Sequence, residues 1–168
     1  NMRQMFSKTA SADPNVSNWD VSLVSDLGTM FNEAESANPD VAHWDVSNVT
    51  SIAAMFRNAG NAQPDVSAWN TARMTNMFMA FAGATSAAPD FSQWDFSAVT
   101  RLTSFLSGVT LTTNAYSRLL ERLYAQALAE DLSFDGGLSQ YDALAAPARQ
   151  ALIDERGWTI TDGGEAQN

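Results

Sequence analysis

Four tryptophans, Trp19, Trp44, Trp69 and Trp94, stand 25 residues apart without one insertion between them. Their neighbours keep the same phase. Pro14, Pro39, Pro64 and Pro89 form one column, and Val16, Val41, Val66 and Phe91 form the next apolar one. Val24, Val49, Met74 and Val99 align further along, followed by Leu27, Ile52, Met77 and Leu102, then by Phe6, Phe31, Phe56, Phe81 and Leu106. Self-similarity at a fixed period is the signature of a repeat architecture. A unit this short cannot bury its apolar face alone, so each must pack on the next. The pattern covers residues 1–109 as four units and the tail of a fifth, with residues 110–168 as a separate segment.

Two periods are visible inside a unit. In the second, Val49, Ile52, Met55, Phe56 and Ala59 space out like the apolar stripe of a short amphipathic helix, with Ser47 placed to cap it. Asp40 to Val46, with Val41, Trp44 and Val46 as apolar positions, reads as a short strand. Strands stack about 4.8 Å apart and helices roughly 8–10 Å, so such a solenoid bends with its strand side concave.

The stretch WDVSNVTSIAAMF (Trp44 to Phe56) resembles the consensus of BspA-like leucine-rich repeats, a family of bacterial and protist surface proteins. Three further copies, WDVSLVSDLGTMF, WNTARMTNMFMAF and WDFSAVTRLTSFL, resemble it with increasing drift. The resemblance implies an α/β, right-handed leucine-rich-repeat-like solenoid, extracellular or at the cell surface, acting in adhesion or protein recognition. Ala37, Ala62 and Ala87 stand where family members often carry Phe, which thins the packing at that bend.

Residues 110–168 read as a helical cap on the open end of the core. Tyr116, Leu119, Leu120, Leu123, Tyr124 and Leu128 form one helical stripe, and Tyr141, Leu144, Ala145, Ala148, Leu152 and Ile153 another, separated by the turn FDGGLS. Trp158 and Ile160 alternate with polar residues as in a short strand. Asp135-Gly136-Gly137 and Asp162-Gly163-Gly164 are turn signals without the pattern of a calcium loop.

Candidate recognition residues follow from alternation around the tryptophans. If the indoles point inward, the flanking columns point outward to the concave face: Asn18, His43, Ala68 and Gln93 before the Trp, and Asp20, Asp45, Asn70 and Asp95 after it. The first column varies over a fixed frame, as a binding surface does. The acidic column has three ways to relieve repulsion between coils: backbone N–H bonds from the adjacent coil, solvation at the rim, or a shared Ca²⁺. Asn70 keeps an acceptor while losing the charge, which favours backbone bonding. In a second column, Asn15, Asp40, Asp65 and Asp90, the same exchange fits Asx-type turns.

Composition removes several functions. The 168 residues carry 9 Lys+Arg against 19 Asp+Glu, a net charge of −10, too few cations to neutralise phosphates or anionic lipid. Nucleic acid is therefore no partner, and no apolar run reaches the ~18 residues of a membrane span. Without cysteine there is no disulfide scaffold or thiol nucleophile. No GxSxG, Walker loop, HExxH or dinucleotide fingerprint is present, and the single histidine, His43, has no nucleophile beside it. The expectation is a non-catalytic recognition module, without cofactor, binding a protein, peptide or glycan and forming part of a larger multidomain chain. A structural spacer is the rival reading, and a polysaccharide hydrolase built on paired carboxylates a third.

Overall fold

A computed structural model describes residues 1–167; Asn168, the last residue of the expected cap segment, lies outside the described residues. Residues 1–109 form stacked coils in register with the 25-residue repeat. Leu27, Thr29, Phe31 and Glu33 donate their N–H groups to the carbonyls of Ser51, Ala53, Met55 and Arg57 at 2.7–3.0 Å. Ile52, Ala54, Phe56 and Asn58 repeat this toward Asn76, Phe78, Ala80 and Ala82, and Met77, Met79, Phe81 and Gly83 toward Arg101, Thr103, Phe105 and Ser107. Every alternate N–H on this side thus points to the following coil. Parallel bridges Asp26↔Ser51, Ser51↔Asn76 and Asn76↔Arg101 mark the same seam.

The expected helix over Val49–Ala59 is absent, and so is the strand over Asp40–Val46. Instead each coil is a chain of reverse turns, such as Met55 N–H to Ile52 and Ala59 N–H to Phe56. Positive φ recurs at the third residue of these turns, with Ala54 at 53° and Asn58 at 55°, as a type II turn requires. Successive four-residue turns bury positions about 3.5 apart, so the apolar spacing is the same as that of a helix. The donors decide between them: an N–H committed to a carbonyl one coil ahead cannot also close an i→i−4 bond. No side of the coil carries a helix, so the expected bend from helices packed wider than strands does not arise.

Inside the stack, Phe6, Phe31, Phe56 and Phe81 pile face to face, with centroids 5.5–5.6 Å apart and planes within 16° of parallel. Trp44, Trp69 and Trp94 are buried, whereas Trp19 in the first coil is half-buried. Ala37, Ala62 and Ala87 are buried at the bend.

Beyond the repeat, α1 (Thr113–Ala125) is capped by the Thr112 hydroxyl, which accepts from the Ala115 N–H, and buries Tyr116, Leu119, Leu120 and Leu123. The FDGGLS stretch includes a strand rather than a turn alone: β1 (Ser133–Asp135) pairs in parallel with β2 (Thr159–Thr161), with Phe134 opposite Ile160. Between them runs α2 (Ala146–Arg156), shorter than its expected stripe. It starts with Pro147 in the first turn and stops at Gly157 in the left-handed region. Tyr141 instead bridges to Glu165, and Leu144 is exposed.

The stack continues through this segment. Leu106 N–H donates to Asp135, and Gly136 N–H to Thr161, so β1 and β2 are two more rungs with helices on the outside. The Trp158 indole bonds the Ala129 carbonyl 29 residues back, as the repeat tryptophans do at 28. Asp162 fastens the end: its buried carboxylate accepts from the Tyr116 hydroxyl and from Arg149, both at 2.8 Å.

Candidate functional site

The candidate columns flank the tryptophans on the side of the coil away from the backbone seam. That side is held by side chains. Trp44, Trp69 and Trp94 donate their indole N–H to Val16, Val41 and Val66 of the preceding coil at 3.1, 3.0 and 2.8 Å. Asn48 reaches the Ser22 carbonyl at 2.9 Å, and Arg73 reaches Asn48 at 2.8 Å. With each indole directed inward, its neighbours face solvent: Asn18, Asp20, His43, Asp45, Asn70 and Gln93 are exposed and Asp95 is half-buried. The columns lie on consecutive turns, so they are not a strand face as expected from the alternation.

The carboxylates of the post-Trp column do bond backbone, but within their own coil. Asp20, Asp45 and Asp95 accept from the N–H of Ser22, Ser47 and Ser97 at 2.8–3.0 Å, and Asn70 from Ala72 at 3.3 Å. This is the Asx-turn geometry, which the amide oxygen of Asn serves as well as a carboxylate does. Ser47, expected as a helix cap, is the donor here. Hydrogen bonds from these serines hold all three carboxyls below the usual aspartate value; Asp20 beside Asp45 opposes the shift there, and Arg122 near Asp95 adds to it. Asn15, Asp40, Asp65 and Asp90 make the same two-residue bond to Ser17, Ala42, Ser67 and Ser92.

Two acidic columns are thus engaged in turn formation. Among the described residues no three His, Asp or Glu side chains form a group that could hold a metal ion.

Concavity does occur where the last coils meet α1. Adjoining cavities of about 230, 330 and 360 Å³ share Asp90, Ala88, Ser92 and Arg118 between neighbours and form one trough. Its far wall is the polar face of α1, with Asn114, Arg118 and Glu121. These three were not among the sequence candidates. Their spacing of four and three, opposite the Tyr116–Leu119–Leu120–Leu123 stripe, is the signal that places them on one exposed helix face. Ser92, next to Gln93, brings the trough to the end of the varying column.

Residues 1–118 match the family described as Mycoplasma protein of unknown function, DUF285. The chain belongs to the DUF285 family. That match covers every coil of the repeat and runs past residue 109 into the first turns of α1, so the DUF285 region includes Asn114 and Arg118 on one wall of the trough. No curated protein and no solved structure matches the chain. No helix among the described residues is long and apolar enough to cross a membrane.

Proposed function

We propose that the chain is a non-catalytic recognition module, extracellular or on the cell surface, binding a protein, peptide or glycan through the outward columns beside the tryptophans. One observation carries the reading: Asn18, His43, Ala68 and Gln93 change chemistry from coil to coil while exposed, each followed by the same Trp and preceded two residues back by a buried apolar residue, Val16, Val41, Val66 or Phe91. Extended faces of this kind are what stacked-repeat proteins use for macromolecular partners. The Asp column beside it adds acceptors already set in place by its Asx turns, which lowers the entropic cost of engaging a donor-rich ligand. The likeness of Trp44–Phe56 to BspA-like leucine-rich repeats supports the surface setting.

A glycan and peptide array probed with the protein tests this. A specific hit should weaken at least about tenfold, a loss of ~1.4 kcal/mol, when Asn18, His43 and Gln93 are changed together to Ala, with the melting midpoint held within a few degrees. Absence of any hit, or a hit indifferent to this triple change, rejects the reading and leaves the spacer role.

A further inference from the structure

We infer that the trough between the last coils and α1 is a binding site for an extended peptide of mixed charge, seating an acidic side chain on Arg118 and a basic one on Asp65 and Asp90. This goes beyond the recognition reading and does not rest on the columns beside the tryptophans. The starting point is one cation without a partner. Arg3, Arg57 and Arg149 pair with carboxylates. Arg73, Arg122 and Arg156 donate to oxygens of Asn48, Trp94 and Tyr124, and Arg101 lies over the Phe78 ring. Arg118 makes no such contact among the described residues, although Asp+Glu outnumber Lys+Arg by 19 to 9. It is exposed on α1 and lines two of the adjoining cavities.

The cavities give the trough an electrical direction. At one end, the cavity of about 360 Å³ holds Arg118 and Arg122 against the single carboxylate of Glu121, so that end is cationic. At the other, the cavity of about 330 Å³ holds Asp65 and Asp90 with no cation in its lining. The cavity of about 230 Å³ joins them, with Asp90 on one wall and Arg118 on the other. Both ends keep groups free for a ligand. Asp65 and Asp90 use Oδ1 to accept from the N–H of Ser67 and Ser92 at 3.0 and 2.8 Å, which leaves Oδ2 open. Arg122 holds the Trp94 carbonyl through Nε, which leaves its terminal nitrogens, and the whole fork of Arg118 is open. Two guanidiniums one helical turn apart, about 6 Å along α1, suit a planar carboxylate.

A ligand that answers both ends must carry both signs. An anionic glycan or a phosphate ester would be repelled by Asp65 and Asp90, and a polyamine by Arg118 and Arg122. A polypeptide supplies both charges on one chain. In its extended form successive side chains point to opposite sides, so it can meet the coil wall and the α1 wall in turn while running through all three cavities. Pro64, Ala88 and Pro89 give the methylene stems of those side chains an apolar surface to lie on.

The test titrates the protein into labelled, end-capped peptides and reads fluorescence anisotropy. Each peptide carries one Glu and one Lys, in either order, with about three to six Ala or Gly residues between them; controls carry two Glu or two Lys at the same positions. A mixed-charge peptide should bind at least about tenfold more tightly than either control. Arg118→Glu should weaken that peptide about tenfold and strengthen the two-Lys control, with the melting midpoint held within a few degrees because Arg118 has no partner to lose. Changing Asn18, His43 and Gln93 together to Ala should leave the binding as it was, which separates this site from the columns beside the tryptophans. No binding by any mixed-charge peptide, binding indifferent to Arg118→Glu, a loss without the gain for the two-Lys control, or a loss on the triple change would each overturn the inference.

Discussion

Replacing Phe56 by Ala probes the ladder where it is most enclosed. Phe56 is 1% exposed and stacks on Phe31 and Phe81 at 5.5 Å on either side. Removing a buried phenyl ring costs about 3–5 kcal/mol, combining the transfer loss with the cavity left behind, and the neighbours here cannot close the gap because each is fixed by its own coil. Phe6 has one ladder neighbour and a half-buried ring, so Phe6→Ala should cost about half as much, near 2 kcal/mol. In a chain of this length each kcal/mol moves the midpoint by about 2–4 °C. Phe56→Ala should therefore melt roughly 10 °C below the parent and Phe6→Ala roughly 5 °C below it, measured by circular dichroism with urea titrations for the free energies. Equal losses at the two positions, or a loss under about 1 kcal/mol at Phe56, would refute the picture of a continuous dry ladder in which Phe56 is flanked on both faces.

Further outcomes follow from the turns and the C-terminal latch. Ala54→Gly should leave stability unchanged or raise it by up to ~1 kcal/mol, since the left-handed φ of 53° suits Gly and strains Ala; a loss of that size in a urea titration would contradict the turn geometry. The lowered aspartates contribute stability that is fully present above the ordinary carboxyl value of 3.8 and is lost as pH falls through their folded values below it. Asp45→Asn, which keeps the Asx acceptor, should thus melt like the parent at pH 7 and show a smaller drop on acidification to pH 3, read by thermal melts at both. Arg149→Met should destabilise by about 3–5 kcal/mol because it leaves the Asp162 charge buried without its cation, whereas Tyr116→Phe removes one hydrogen bond and should cost about 1–3 kcal/mol; the reverse order in chemical denaturation would sink this account of the latch. EDTA should leave the melting midpoint unchanged, because the Asp20 and Asp45 carboxylates are already bonded to Ser22 and Ser47.

The repeat, the inward tryptophans, the Asx turns of the Asn15, Asp40, Asp65 and Asp90 column and the two helices beyond residue 110 are readable from spacing and side-chain type. The Asp20, Asp45 and Asp95 column, by contrast, bonds its own coil and not the adjacent one as expected. What was misread turns on one degeneracy. Ile52, Met55, Phe56 and Ala59 carry a spacing that a helix and a string of reverse turns share, and periodicity cannot separate them. A clue was present in the column Glu33, Asn58, Gly83 and Gly108, where Asn and Gly gather at the positive φ that these turns require. The rungs at Ser133–Asp135 and Thr159–Thr161 were obscured for another reason: they keep the coil's hydrogen bonds while dropping its side-chain columns, and backbone pairing leaves little trace in residue type. Spacing does not reveal the trough, because its walls come from residues such as Asp90 and Arg118, brought together only when α1 folds back on the last coil.

Along the same trough, the side chain of Gln126 does the work of a peptide group. Its amide nitrogen donates to the Trp94 carbonyl at 3.0 Å and its oxygen accepts from the Phe96 N–H at 2.6 Å, with Arg122 donating to the same carbonyl. That clasp ties the Trp94 side of the fourth coil to the end of α1, so the two cannot part without breaking three hydrogen bonds together. A protease should accordingly release Trp94, Phe96 and α1 together in one resistant fragment.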